Sequence, residues 1–171
     1  MIKNMTEKNS NEYILLLVER SNKIAERGSI ITRRSEIIEN RKHKLQSHIL
    51  AMDEAEISDE VVEKYNALTR QSHELVQKRK EIFEIWKKFQ KERNELNAVS
   101  EEMLKYYNML NDGGESTQIM NKQIEQNLSH FEQILTKLEG ILNNREAITV
   151  KEELIITQSE QLIGLRNSQN M

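Results

Sequence analysis

Residues 61–110 read VVEKYNALTRQSHELVQKRKEIFEIWKKFQKERNELNAVSEEMLKYYNML, and apolar residues recur in them at every seventh position. The first string is Val61, Leu68, Leu75, Ile82, Phe89, Leu96, Met103 and Leu110. A second string follows four residues after each of the first seven members: Tyr65, Ser72, Arg79, Trp86, Arg93, Ser100 and Tyr107. This alternation of four and three is typical of a long α-helix buried along a narrow seam against other helices. The pattern predicts one helix over residues 58–111.

The composition is that of a helical protein. The chain has 171 residues, of which 37% are hydrophobic and 31% charged, and it contains no proline. The lack of proline suits long helices, because proline removes a backbone donor and interrupts a helix. The absence of cysteine excludes disulfides and thiolate zinc sites. We find neither an apolar run that could span a membrane nor a secretory signal pattern, and we expect an intracellular protein of the nucleus or cytoplasm.

A first helix is predicted over residues 11–52, where apolar residues again recur every seven positions: Leu17, Ile24, Ile31, Ile38, Leu45 and Met52. The segment that follows contains Ser58, a good N-cap, with Asp59 and Glu60 in the next turn, where the helix dipole favours acids. We therefore interpret residues 53–58 as a turn. A continuous helix with a register skip is the alternative.

Four arginines form a heptad string beside the first seam: Arg20, Arg27, Arg34 and Arg41. They occupy the g position if Leu17 is d, and flanking charges of this kind select the partner and its orientation in coiled coils. We match no acidic heptad string of this chain to them, and we therefore predict that they face a partner protein. A solvated basic face is the alternative.

The a positions of the central helix argue against a parallel homodimer. Arg79 and Arg93 would each meet their own copy at the seam, like charge against like charge. An antiparallel hairpin or a hetero-oligomer allows each arginine to meet an acid or to extend past the seam. We therefore predict that Arg79 and Arg93 also belong to the interface with a partner.

The segment IFEIWKKF at residues 82–89 is apolar on more than one face. Phe83, Trp86 and Phe89 could form the centre of an interface, because aromatic side chains bury large areas. The alternative is that this segment is the thickest part of an internal core, crossed by a third helix.

The clearest break in the chain is NDGG at residues 111–114, since Gly-Gly interrupts helices. A third helix is predicted over 115–143, capped by Ser116 or Thr117, with a seam of Ile124, Leu128, Phe131, Leu135, Leu138 and Leu142. The seven-residue apolar repeat is then interrupted, because Arg145 and Thr149 occupy its next two positions. A capping box from Thr149 to Glu152 predicts a short fourth helix over 149–167. One long helix with a bend near residue 144 is the alternative.

Sequence motifs of catalysis are absent. His73-Glu74 begins like a zincin helix, but Gln77 stands where the second histidine ligand would be. No phosphate loop, dinucleotide fingerprint, nucleophile elbow or EF-hand loop is present. We predict a protein that is not an enzyme, with no cofactor, metal or small-molecule substrate. Residues 1–52 carry ten basic and six acidic side chains, net +4, which is too little to predict nucleic-acid or membrane binding.

The order of features resembles that of centromere protein H, a coiled-coil subunit of the inner kinetochore. The resemblance rests on ILLL at residues 14–17, KERNEL at 91–96 after Trp86, and NLSHF at 127–131. The chain differs in having no Trp after its last helix. The resemblance implies other kinetochore coiled-coil subunits as partners, and it carries over no site residue.

Together these patterns predict one all-α domain over residues 1–171. We expect an elongated antiparallel coiled coil, or helical hairpin bundle, of three long helices and a short C-terminal helix. Packing of the helices within one chain or between chains remains open at this point. The predicted function is that of a structural subunit in a hetero-oligomeric coiled-coil complex, in the kinetochore, the spindle or another assembly. The alternative is a membrane-surface or vesicle-tethering helical module.

Overall fold

A computed structural model of the chain describes residues 7–114 and 118–164, and it is all-α over these residues, as predicted. Four α-helices follow one another: α1 (Glu7–Ala51), α2 (Asp59–Lys88), α3 (Gln90–Asn111) and α4 (Gln118–Ile163). A short 3-10 helix, Glu54–Glu56, lies between α1 and α2. The predicted cap at Ser116 or Thr117, the predicted helix start at residue 115 and the predicted helix end at residue 167 lie outside the described residues.

The segment between α1 and α2 is a turn and not a register skip. The chain leaves the α-helix after Ala51, and the Glu56 amide donates to the Asp53 carbonyl over 2.9 Å. Ser58 caps α2 as predicted, because its Oγ accepts from the Val61 amide at 3.3 Å. The helix therefore begins with one of its free backbone donors satisfied.

The single helix predicted over 58–111 is wrong, because the structure divides it at Phe89 into α2 and α3. Phe89 has φ −87° and ψ 2°, so its ψ lies well outside the helical range. The i to i−4 bonds continue on both sides, from the Phe89 amide to Ile85 and from the Arg93 amide to Phe89, each 3.1 Å. This irregularity falls where the seam carries its bulkiest side chains, Trp86, Phe89 and Arg93, which are larger than a narrow heptad seam accommodates.

Helix α3 ends at the predicted glycine pair. Gly113 has a φ of +86°, and the Gly114 amide donates to the Met109 carbonyl over 2.9 Å. This is a Schellman ending, in which a left-handed residue lets the chain satisfy the last carbonyls of the helix. A Cβ on Gly114 would lie 2.8 Å from Met109 Cγ, so this position also requires glycine for space.

The short fourth helix predicted over 149–167 is wrong, because α4 runs without interruption from Gln118 to Ile163. The alternative of one long helix is the one observed. Thr149 does not cap a helix: its hydroxyl donates to the Arg145 carbonyl, 2.9 Å away, inside the helix. The apolar phase fails here because Thr149 and Glu152 form a polar part of the core, and both are buried.

The described residues divide into two compact units. Unit 1 comprises residues up to Arg27 together with Ile85–Leu142, and unit 2 comprises Gly28–Glu84 together with the residues from Asn143 onward. Each unit is assembled from two segments of the chain. The expectation of one domain over residues 1–171 is not decided by this division and stays a prediction.

Unit 1 is a three-helix bundle of α1, α3 and α4. The α1–α4 pairs Tyr13–Glu132 and Arg20–Glu139 both join residues 119 positions apart, so these two helices run parallel. Residue numbers rise along α3 as they fall along α4, so this pair is antiparallel. The core contains Ile14, Leu17, Met103, Tyr106, Ile124, Leu128, Phe131 and Leu135.

Unit 2 is a three-helix bundle of α1, α2 and α4. The α1–α4 pairs Arg34–Glu153 and Arg41–Glu160 are again 119 positions apart. Its buried apolar residues include four members of the predicted seams, Ile31, Ile38, Leu45 and Leu75. Leu75 packs with Ile148 and Ile155 of α4. The helices therefore pack within one chain in each unit, which answers the question that the sequence left open.

Candidate protein-binding surface

The arginine string of α1 lies against glutamates of α4. In unit 1, Arg20 Nε donates to Glu139 Oε1 at 2.5 Å and Arg20 Nη2 to Glu139 Oε2 at 2.7 Å. The hydrogen bond from Arg20 and its charge, with a smaller contribution from Arg27, hold the pKa of Glu139 below its usual value. A bidentate pair of this kind fixes orientation as well as charge.

The same arrangement occurs in unit 2. Arg34 Nε donates to Glu153 Oε1 at 2.7 Å, and Nη2 donates to Oε2 at 2.8 Å. Arg41 donates to Glu160 through two nitrogens and to Thr157 Oγ1 at 3.1 Å. The hydrogen bond from Arg34 lowers the pKa of Glu153.

The premise that no acidic string of this chain matches the arginines is therefore wrong. Glutamates recur every seven residues along α4, at Glu132, Glu139, Glu146, Glu153 and Glu160. Arg20, Arg34 and Arg41 each bond one of these acids and so do not need a partner protein to neutralise them. The signal was present in the sequence, but Arg145 and Thr149 break the apolar phase beside it and hid the continuity of the acidic string.

The Arg34–Glu153 pair can be tested by charge reversal. We expect Arg34→Glu to lower the free energy of unfolding by about 1 kcal/mol at low salt, because two carboxylates then face each other at a partly exposed site. The exchange Arg34→Glu/Glu153→Arg should restore most of the loss. Urea unfolding followed by far-UV circular dichroism measures both effects, which should shrink in 1 M NaCl. A double variant no more stable than Arg34→Glu alone would show that this pair does not form in solution.

Tyr13, in the N-terminal part of α1, is hydrogen-bonded to the acidic string of α4. Its hydroxyl donates to Glu132 Oε2 at 2.5 Å. Burial, the hydrogen bond to Glu132 and the charge of that carboxylate raise the pKa of Tyr13 to about 12. These interactions favour the neutral phenol in the folded chain.

We expect Tyr13 to ionise well above the ordinary tyrosine value of about 10 in an absorbance titration at 295 nm. Because the folded pKa lies above the unfolded value of about 10, its stabilising contribution is complete below pH 10. That contribution is lost as the pH rises from about 10 toward the folded pKa of about 12. Tyr13→Phe should remove the high-pH step, and persistence of the step in this variant would refute the assignment.

Arg79 meets an acid, as expected for the antiparallel alternative. Its Nη2 donates to Glu152 Oε1, and the Glu152 side chain is 0% exposed. Lys42 Nζ lies 3.7 Å from the other carboxylate oxygen, Glu152 Oε2, which accepts no hydrogen bond from the described residues. Arg145 also responds to this cluster of charges. Burial and, to a smaller extent, the charge of Arg79 lower the pKa of Arg145. Arg79, which is 33% exposed, therefore belongs to a polar layer around the buried Glu152 of unit 2, which we define as Lys42, Arg79, Thr149 and Glu152.

The aromatic segment is divided between the interior and the surface. Phe89 is buried in unit 1, with Lys137 Nζ 5.2 Å from the centre of its ring. Arg93 stacks on Trp86, with Cζ 3.3 Å from the ring centroid. Stacking of this kind stabilises the guanidinium by cation–π attraction, although Arg93 Nε is buried and has no hydrogen-bond partner among the described residues. Burial lowers the pKa of Arg93. Among the aromatic residues predicted for the interface, Phe83 of unit 2 is the exposed one.

Exposed apolar side chains on the outer side of the Arg34–Glu153 pair were missed by the sequence reading. On α1, Ile30 and Ile37 flank Arg34 at i−4 and i+3, and they are 48% and 51% exposed. On α4, Val150 lies three residues before Glu153 and is 50% exposed, and Leu154 is 57% exposed. We call Ile30, Ile37, Val150 and Leu154 the apolar patch. The seven-residue spacing of Ile30 and Ile37, one position before the buried string, was the available signal.

The described residues offer little to other kinds of site. Within residues 7–114 and 118–164, no group of three or more His, Cys, Asp or Glu could hold a metal ion. Unit 2 has a small pocket of about 80 Å³ that is partly open to solvent and is lined by polar groups such as Ser72 and Ser159 beside Leu45, Leu68 and Ile155. In the same described ranges, no helix has an apolar stretch that could cross a membrane.

Comparison with known proteins gives no relative: the chain matches no known protein family, no curated protein and no solved structure.

Proposed function

We propose that the chain is a non-catalytic structural subunit that binds other helical proteins. The observation that carries the proposal is the exposure of Ile30, Ile37, Val150 and Leu154 on two helices whose buried faces are already packed in unit 2. A helix that has completed its own core and still presents apolar side chains at regular spacing is typical of a surface that receives another helix.

The proposal rests on the apolar patch and not on the arginine string that was predicted to face a partner. Arg20, Arg34 and Arg41 are bonded to glutamates of α4. The same pairs weaken the case for a membrane-surface or vesicle-tethering module, since they neutralise arginines that such a surface would use to bind anionic lipids. We therefore propose a protein partner first. The resemblance to centromere protein H makes an inner-kinetochore or spindle complex in the nucleus or cytoplasm the first assembly to test.

The test is affinity purification of the tagged chain from its native host at moderate salt, followed by mass spectrometry and light scattering of the eluted complex. We expect stoichiometric recovery of other long-helix proteins, and reconstitution of the complex from purified components. A chain that is recovered alone and behaves as a monomer in light scattering would overturn the proposal. Fluorescent tagging of the chain at its genomic locus would then test the kinetochore or spindle setting separately.

A further inference from the structure

We infer that helix α2 is a displaceable element of unit 2, which separates from the α1–α4 pair as one piece while that pair stays assembled. The moving segment is residues 59–84, the part of α2 that belongs to unit 2. Such a motion needs no partner protein and goes beyond the proposed function. It follows from the shallow burial of α2, from the pocket beneath it and from the polar layer that it covers.

Helix α2 contributes little to the core of unit 2. The structure describes all of its residues, and one of them, Leu75, is buried. Leu75 packs with Ile148 and Ile155 of α4, and Leu68 and Ile82 pack against this cluster while they stay partly exposed. A helix held by so few buried apolar side chains opens at a lower free-energy cost than the protein as a whole.

The α1–α4 pair of unit 2 is joined more firmly. Both helices bury apolar residues in this unit, which are Ile31, Ile38 and Leu45 of α1 and Ile148, Ile155 and Ile156 of α4. The Arg34–Glu153 and Arg41–Glu160 ion pairs also connect the two helices. These ion pairs do not involve α2, so they remain when α2 moves away.

The packing beneath the N-terminal half of α2 is incomplete. The pocket of about 80 Å³ lies where α2 faces both other helices of the unit. Four residues of α2 line it: Tyr65, Leu68, Thr69 and Ser72. Side chains around a void lose the contacts that neighbouring atoms would supply. This half of α2 therefore gains less from packing than a filled interface would give it.

Two turns after Ser72, α2 covers a carboxylate whose bonding is incomplete. Glu152 Oε1 accepts from Arg79, but the buried Oε2 accepts no hydrogen bond from the described residues and lies 3.7 Å from Lys42 Nζ. A partly satisfied polar group is costly in a protein interior. Movement of α2 hydrates Arg79 and both oxygens of Glu152 together, which offsets much of the cost of separating the ion pair.

The open state uncovers one face of α4. Leu75 and Arg79 leave, so Ile148, Glu152 and Ile155 become accessible while α4 stays joined to α1. The strength of the contacts of Leu75 and Arg79 sets the population of this state. Any molecule that binds the uncovered face would stabilise it by mass action, which makes α2 a conformational control element.

Hydrogen exchange of the full chain, followed by mass spectrometry of peptic fragments, measures the opening. After correction for intrinsic rates, we expect the amides of residues 63–82 to exchange at least about 100-fold faster than those of residues 34–45 and 148–159. Urea below the unfolding transition should change the fast exchange little, because a local opening exposes little surface. Equal protection of the three segments would overturn the inference, since α2 would then open only with the whole unit.

Filling the pocket should hold α2 in place. Ser72→Leu extends a side chain into the pocket, and we expect it to raise the protection of residues 63–82 by about tenfold. The matched control is Ser100→Leu, the same change at a half-buried position of α3 in unit 1. It should leave the protection of α2 unchanged. An equal effect of the two variants on residues 63–82 would overturn the inference.

Truncation of the one buried residue should have the opposite effect. We expect Leu75→Ala to lower the protection of residues 63–82 by at least about tenfold and to leave that of residues 148–159 nearly unchanged. Val62→Ala, which changes an apolar residue of α2 that is 43% exposed, should alter neither segment. If Leu75→Ala removed protection equally from both segments, the α1–α4 pair would depend on α2 and the inference would be overturned.

Discussion

Glu152→Ala should lower the free energy of unfolding by about 2–3 kcal/mol, because it removes the buried acid of an ion pair and leaves cations that are themselves partly exposed. Glu152 is the only acid in the polar layer of unit 2, where it accepts from Arg79 and lies 3.7 Å from Lys42. Its removal leaves two cations facing each other beside Arg145, with no carboxylate between them. Urea unfolding followed by far-UV circular dichroism measures the loss.

The neighbouring acid is the matched control. Glu153 forms a bidentate ion pair with Arg34, but its side chain is 35% exposed. We expect Glu153→Ala to cost less than about 1 kcal/mol, because solvent screens and replaces the lost interaction. The comparison changes adjacent glutamates of one helix and therefore isolates burial as the cause. Equal losses in the two variants would show that the polar layer is hydrated in solution.

A double replacement asks what the buried pair contributes. In Glu152→Leu/Arg79→Leu, neither charge is left without its partner, so we expect stability to return to within about 1–2 kcal/mol of the original chain. The pair would then serve mainly to set the register of the three helices, as buried polar residues do in some coiled coils. A double variant as unstable as Glu152→Ala would mean that Lys42 and Arg145 also depend on Glu152.

The sequence was sufficient for those parts of the fold that follow from periodicity and local signals. The seven-residue strings identified the buried faces of α1 and α2, and Ser58 and Gly113-Gly114 marked the turns. Each of these signals acts within one helical turn or repeats many times, so no tertiary information is needed to interpret it.

The missed features depend on contacts between distant residues. Thr149 and Glu152 match the start of a helix in the sequence, but they are a polar part of the core. A polar core and a helix end interrupt an apolar string in the same way. Glu152 finds its partner Arg79 at a sequence separation of 73, which no local pattern contains. The helix break at Phe89 likewise falls where the guanidinium of Arg93 stacks on the ring of Trp86.

The error about the arginine string has a different origin and changes the functional conclusion. The glutamates that pair with Arg20, Arg34 and Arg41 form an equally regular string, so the pairing was available from the sequence alone. With those charges satisfied internally, the proposal of a protein partner rests on the apolar patch and no longer on the flank of α1. Two of the predicted interface aromatics also make their contacts within the chain, since Phe89 is buried and Trp86 is stacked on Arg93.

Phe131→Ala should be the most destabilising truncation in unit 1, at about 3–5 kcal/mol. Phe131 is fully buried in the core that includes Ile14, Met103 and Leu128, to which all three helices of the unit contribute. Alanine removes the ring and leaves a cavity that rigid neighbouring helices fill only in part. Urea unfolding and thermal melts measure the change, and both should move to lower midpoints.

Phe83 supplies the control for Phe131, because it is the same residue type in a helix of the same chain but is 49% exposed. We expect Phe83→Ala to change the free energy of unfolding by less than about 1 kcal/mol. Phe131→Leu should fall between the two, since leucine keeps most of the buried volume. Equal midpoints for Phe131→Ala and Phe83→Ala would contradict the register of α4. A register shifted by one or two positions would bring the ring of Phe131 out of the core, and its truncation would then cost little.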